Sequence, residues 1–175
     1  MCFHGVWREK KMNVNGFEIE RKYLIAMPDR KLLDSFERSD IVQIYLKGEK
    51  GTTERVRKRT GSAGCVYTHT IKRKVSNIRR MEDEQEIDVS RYEQLLERAD
   101  PGHRVVEKSR YCFRYAGQLW ELDVYPFWSD KAIMEIELTD EAQKIDLPPF
   151  IKVIREVSDD RRYTNAAISQ SIPEN

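Results

Sequence analysis

A chain of 175 residues with 39% hydrophobic and 35% charged content is long enough for one domain with a real core. The 31 basic and 30 acidic residues nearly cancel to a net charge of +1. That balance argues against a general nucleic-acid or membrane-surface protein, which would carry an excess of one sign. Charge this dense in both signs suggests a salt-bridged surface or an internal site that uses both.

Cys2, Cys65 and Cys112 are odd in number and widely spaced, as expected of reduced thiols in a reducing compartment. No apolar run approaches the length of a membrane span, and residues 1–12 lack the apolar core of a signal peptide. A cytoplasmic protein is expected, with residues 1–15 as a flexible extension, 16–170 as the folded domain and 171–175 as a tail.

Phe17, Ile19 and Tyr23 alternate with Glu18, Glu20 and Lys22, the period of a strand. Its polar face holds two carboxylates about 7 Å apart, close enough to share a divalent cation, with an ammonium one step beyond. Pro28 opens a short helix through Phe36, and 40–47 reads as a strand. Residues 53–59 put Arg55, Arg57 and Arg59 on one strand face, and 66–74 return with Thr68, Thr70, Lys72 and Lys74 together. A strand over 78–87 carries Arg80, Glu82, Glu84 and Glu86 on one side. Ser90 is the expected cap of a helix over 91–99. A hairpin follows, 105–115 and 119–125, bearing Lys108, Arg110 and Arg114 on one arm and Glu121 and Asp123 on the other. Residues 132–139 alternate Glu135 and Glu137 with apolar residues, 153–157 form a short strand, and 160–169 a terminal helix.

About eight strands with few helices indicate an α+β, mainly antiparallel β fold. Nearly every strand has one apolar and one charged face, and each charged face is locally of one sign, which suits strands of opposite sign facing each other. A closed eight-stranded β-barrel achieves this, with charges converging on the lumen and apolar faces covered by helices. Charges buried at such density need compensation, a metal ion for the acids and a polyanion for the bases. Arginine forks and lysines hold phosphoryl oxygens while carboxylates hold hard divalent ions, so the set fits metal-assisted chemistry on a polyphosphate. The histidines (His4, His69 and His103) have no nucleophile elbow or zinc spacing near them, and no GxxxxGK[ST] loop is present.

Glu18-Ile19-Glu20-Arg21-Lys22 resembles the ExExK signature of the CYTH domain, the triphosphate tunnel metalloenzymes. The similarity runs in order through Gln43–Leu46, Arg55-Val56-Arg57, Thr70–Lys72, Glu84/Glu86, Lys108–Tyr111, Trp120–Val124, Glu135–Leu138, Glu156-Val157 and Arg162–Asn165. This resemblance implies an eight-stranded tunnel that binds triphosphates with Mg²⁺ or Mn²⁺. Glu18, Glu20, Asp123, Glu135 and Glu137 look like its metal ligands. Lys22, Arg55, Arg57, Lys72 and Arg110 look like its triphosphate clamp, with Lys74 and Arg114 as further substrate contacts and Arg80, Glu84 and Glu86 as lumen neighbours. Glu18, Glu20, Lys22 and Lys72 are the expected catalytic groups. Arg59, Glu82 and Lys108 fit structural ion pairs equally well, Trp120, Tyr45 and Tyr163 fit packing, and His69 points to the outer side.

The implied activity is hydrolysis of a terminal phosphoanhydride, the substrate being tripolyphosphate, ATP or thiamine triphosphate. An RNA 5′-triphosphate end is a remoter substrate, and a homodimer is compatible. The alternatives are a class IV adenylyl cyclase making cyclic AMP and pyrophosphate, and a non-catalytic polyphosphate or nucleotide binder. The single short helix between Ala26 and Gln43 resembles the compact tripolyphosphatase branch. Tyr125-Pro126-Phe127-Trp128-Ser129 departs from it, standing where a Gly-rich segment is usual.

Overall fold

The computed structural model describes residues 19–74 and 80–174, with the side chains at 74, 80 and 81 outside that description. Nine strands form one sheet: β1 Ile19–Ala26, β2 Glu37–Leu46, β3 Thr52–Gly61, β4 Gly64–Lys74, β5 Arg80–Ile87, β6 Val106–Tyr115, β7 Gln118–Val124, β8 Lys131–Leu138 and β9 Val153–Glu156. Three short helices accompany them: α1 Arg30–Leu33, α2 Val89–Leu96 and α3 Asn165–Gln170, the last preceded by a 3-10 turn over Arg161–Tyr163. The spatial order is β5-β4-β3-β2-β6-β7-β8-β1-β9, and every pairing is antiparallel.

The antiparallel architecture agrees with the alternation in the sequence. The barrel expected from the charge pattern differs in two respects. The sheet has nine strands, and among the described residues no ladder joins its edge strands β5 and β9. The short strand β9 explains part of this, because it pairs with the edge of β1 that closure would have used. The sheet nonetheless curls far enough that side chains from β1, β3, β4, β6 and β8 line one cavity.

The convex face is the apolar one. Tyr23, Ile25, Tyr111, Phe113, Trp120, Leu122, Met134, Ile136 and Leu138 form its core, closed over by Leu33 of α1 and by Ile151. Phe36 stacks on Phe113 with ring centroids 4.3 Å apart, and Phe150 packs edgewise on Tyr115. A second cluster joins Tyr45, Val106, Tyr125, Trp128, Tyr163 and Ile168 at the end of the sheet where α3 docks. In a third, Tyr92 and Leu95 of α2 pack on Leu46 and Val56.

Turn chemistry fixes the registers. Ala116 and Gly117 both take positive φ, 49° and 75°, the geometry of a two-residue hairpin whose twist matches the flanking strands β6 and β7. The cap of α2 is Asp88 rather than Ser90: its carboxylate accepts the Arg91 amide at 2.7 Å, so the helix starts at Val89. No helix among the described residues is long and apolar enough to cross a membrane.

Candidate functional site: a charged cavity on the concave face

Period-two alternation turns the charged side of each strand toward the hollow of the sheet. The result is a cavity of about 630 Å³ lined by Glu20 and Lys22, Tyr45, Arg55 and Arg57, Lys72, Arg110, Glu121, and Glu135 and Glu137. Residues of α3 with the preceding turn, among them Arg161, Asn165 and Gln170, line it as well. Tyr125, just after β7, donates its hydroxyl to Asn165 Oδ1 at 2.8 Å, tying the end of that strand to this helix. The helix is tied at its other side by His103, whose Nδ1 lies 2.6 Å from Ser169 Oγ.

On β1 and β8, Lys22 is buried and its Nζ lies 2.8 Å from Glu135 Oε1 and 3.4 Å from Glu20 Oε1. Burial works against its charge, but Glu135 and then Glu20 outweigh it and hold the ammonium above its ordinary pKa. The register places Lys22 opposite Glu135 and Glu20 opposite Glu137.

A second cluster lies on β6 and β7. Asp123 is fully buried and takes Arg110 in a fork, Nε to Oδ1 and Nη2 to Oδ2, both at 2.7 Å. Lys108 donates to the same Oδ2, and Arg110 also donates to Glu121 and lies 3.4 Å from Glu135 Oε2. Burial alone would raise the Asp123 pKa, yet Arg110 and Lys108 hold it well below the carboxylate range. Burial and the neighbouring Arg110 push Lys108 down to about 8, which Asp123 only partly offsets.

The wall formed by β3, β4 and β5 carries the spare positive charge. Lys72 pairs with Glu82 at 2.6 Å. Arg55 reaches Glu82 and Glu84 at 3.6 and 3.8 Å, while its buried Nε has no hydrogen-bond partner. Arg57 is held by a neutral group, Gln43 Oε1, which accepts from Nη2 at 2.9 Å and from Nε at 3.2 Å. Burial, then the charges of Arg55 and Arg110, pull the Arg57 guanidinium down to about 10. A cation depressed this way is short of negative charge, and an entering anion would supply it.

The expected site residues therefore separate. Glu20, Lys22, Arg55, Arg57, Lys72, Arg110, Glu135 and Glu137 meet at one cavity. Glu18 and the side chain of Lys74 lie outside the described residues. Arg114 shares the parity of Arg110 but sits near the end of β6, exposed and away from the cavity lining. Asp123 was expected as a metal ligand, but Lys108 and Arg110 occupy both its oxygens in this arrangement. Lys108, Glu82 and Arg59 are engaged locally, Arg59 donating to Ser39 Oγ at 3.0 Å. Trp120 and Tyr163 are core side chains, and His69 faces outward to Glu54 at 2.8 Å. Gln43 gave no charge signal in the sequence; its strand-opposite position to Arg57 was the available clue.

The carboxylates at the cavity are oxygen donors of the type hard divalent ions prefer. Glu20 and Glu137 sit opposite each other in the β1–β8 ladder, next to the Lys22–Glu135 pair. Among the described residues no three such groups converge tightly enough to form a ready cage. Glu20, Glu137, Glu135 and Asp123 are all of the donor type a hard divalent ion takes; Glu135 and Asp123 have both oxygens engaged by Lys22, Lys108 and Arg110 in this arrangement.

The chain is thus an antiparallel β protein whose curled sheet sets arginines, lysines and carboxylates around one hollow. No family model matches the chain. An inorganic triphosphatase of Nitrosomonas europaea is 37% identical over 161 residues, covering 89% of this chain and 99% of the relative. One from Acetivibrio thermocellus is 32% identical, covering 86% and 92%. The solved crystal structure of the inorganic triphosphatase NE1496 superimposes with a TM-score of 0.59 at 35% identity, covering 90% of this chain and 97% of that one. The chain belongs to the family of these inorganic triphosphatases, a CYTH-like group.

Proposed function

We propose that this protein is a divalent-metal-dependent triphosphatase that cleaves the terminal phosphoanhydride of an inorganic or organic triphosphate in the concave cavity. The observation that carries the reading is Arg57, a cation at the cavity wall held by a neutral amide and depressed by its neighbours. Guanidinium forks fit phosphoryl oxygens, so a triphosphate would supply the negative charge that Arg57 lacks. The relatives bearing the name inorganic triphosphatase support the same substrate class.

Arg55, Arg57 and Lys72 form the basic wall that binds and orients the chain of phosphates. Lys22, held between Glu20 and Glu135, presents a fixed positive charge on the opposite wall. These cations stand where charge builds on the transferring phosphoryl group, and being preorganised they need no rearrangement to stabilise it. Arg110 is held by carboxylates and orients Glu121 and Glu135. Glu20, Glu135 and Glu137 are the residues that would hold Mg²⁺ or Mn²⁺. Such an ion, when bound, neutralises phosphoryl oxygens and lowers the pKa of a bound water.

The test is product analysis with Mg²⁺ or Mn²⁺, tripolyphosphate and ATP in parallel. Orthophosphate and pyrophosphate from tripolyphosphate are expected, with turnover abolished by EDTA and by Glu20→Ala or Glu137→Ala. Cyclic AMP with pyrophosphate from ATP would overturn the hydrolytic reading in favour of a cyclase. Tight triphosphate binding with no turnover would overturn it in favour of a sensor.

A further inference from the structure

The two arginines of β3 that face the cavity are each matched across the ladder by a neutral polar side chain of β2. Gln43 stands opposite Arg57, and Tyr45 opposite Arg55. Gln43 is completely buried, a costly place for a primary amide unless all its hydrogen bonds are made. Its Nε2 donates to Tyr45 Oη at 2.9 Å. Arg57 decides the amide's orientation, since the reverse one would aim an NH₂ donor at a guanidinium that is all donors, and Tyr45 Oη then accepts from the amide nitrogen. Oε1 therefore faces Arg57 and accepts from Nε and Nη2. The fork is locked along its Nε–Nη2 edge, in a residue that lines the cavity. Burial holds the Tyr45 phenol above its ordinary pKa, so it stays a neutral anchor for the amide.

The choice of an amide has an electrostatic consequence. Elsewhere on the concave face the buried cations Lys22, Lys108 and Arg110 are oriented by carboxylates, which partly offset the charge they position. At Arg57 the orienting group is isosteric with glutamate but uncharged.

We propose that Gln43 is the positioning residue that aims Arg57 into the cavity while leaving its charge available to the substrate, with Tyr45 accepting from the amide. This rests on the reading that the cavity takes a triphosphate. It assigns to β2 a part in setting anion affinity. Gln43 touches no substrate itself and acts through Arg57.

The experiment compares wild type, Gln43→Glu and Gln43→Met, each checked by thermal melting. Calorimetric titration with tripolyphosphate without metal gives Kd, and phosphate release with Mg²⁺ gives kcat and KM. Gln43→Glu keeps the shape and supplies a carboxylate to Arg57. It is expected to fold, to melt at or above the wild-type temperature, and to raise Kd and KM by about tenfold to a hundredfold, the scale of one opposite charge at contact distance. Gln43→Met removes the acceptor and leaves Arg57 charged. Its Kd is expected to stay within about threefold of wild type while kcat falls about tenfold, as for a misaimed group.

Wild-type Kd in Gln43→Glu, or equal weakening in both variants, would overturn the proposal and reduce Gln43 to packing. If Gln43→Glu does not fold, Gln43→Met decides: reduced kcat at near-wild-type Kd supports the proposal, and wild-type kcat overturns it. A wild type that binds tripolyphosphate without hydrolysing it would refute the hydrolytic reading alone, with the Kd comparison still judging Gln43. A wild type that does not bind it would refute both.

Discussion

Asp123 with Lys108 and Arg110, and Arg57 with Gln43, use similar side chains on the same concave face and reach opposite electrostatic ends. In the first cluster two cations, one of them in a fork, meet the buried Asp123 and its neighbour Glu121, and the charges offset one another. In the second a guanidinium meets an amide, keeps its full charge and is depressed to about 10 by burial and by Arg55 and Arg110. The first arrangement is a structural tie between β6 and β7. The second leaves the guanidinium's charge unmatched by the group that orients it. What separates them is the charge of the partner rather than the type of the cation, so the count of basic residues in a cavity overstates its capacity to bind phosphate.

The comparison can be broken from either side. Reversing the free charge, Arg57→Glu, is expected to lower kcat/KM for tripolyphosphate by about 10²–10³-fold, with the melting temperature near wild type, read by phosphate release and calorimetry. Removing the tie, Asp123→Ala, leaves Lys108 and Arg110 buried without their carboxylate. It is expected to cost about 3–5 kcal/mol of stability in urea unfolding.

Proton linkage sharpens the same contrast. The Asp123 pKa is depressed in the folded state, so its contribution is present above the ordinary 3.8 and is lost as pH falls below that value toward the folded one. Lys108 has the opposite linkage. Its folded pKa of about 8 lies below the ordinary 10.5, so between these values the unfolded chain binds more protons and the group's contribution to stability rises with pH. Unfolding free energies measured from pH 8 to 10.5 are expected to show that rise in wild type and to lose it in Lys108→Met. The smallest effect is expected at Arg114, exposed and off the cavity: Arg114→Ala changes kcat/KM less than about twofold and stability within about 0.5 kcal/mol, by the same assays.

Much of this was legible in the sequence, because a strand's alternation is a local property. Glu20 with Lys22, Arg55 with Arg57, and Glu135 with Glu137 were assigned to one face each, and each pair lines the cavity. Depth along the strand was not legible: Arg114 shares the face of Arg110 yet lies near the end of β6, in solvent. Nor was pairing within the hollow. Parity put Asp123, Lys108 and Arg110 on the inner side, but only the β6–β7 register, with Arg110 opposite Asp123, shows that they offset one another. The open edge of the sheet depends on which strand β9 joins, a long-range choice that alternation does not encode. Ser90 was expected to cap α2, but the cap is Asp88, whose carboxylate is the one that reaches the Arg91 amide. Gln43 stood in the stretch that carries the resemblance but was given no role, because its part depends on Arg57, its partner across the ladder.

The most direct test of the account is a calorimetric titration of tripolyphosphate, without metal, into wild type, Arg57→Gln and the exposed control Arg114→Gln. The account predicts that Arg57→Gln weakens binding by about tenfold or more while Arg114→Gln matches wild type. Equal affinity in wild type and Arg57→Gln would contradict it, and would mean that the uncancelled charge on β3 is not what the cavity uses to hold its anion.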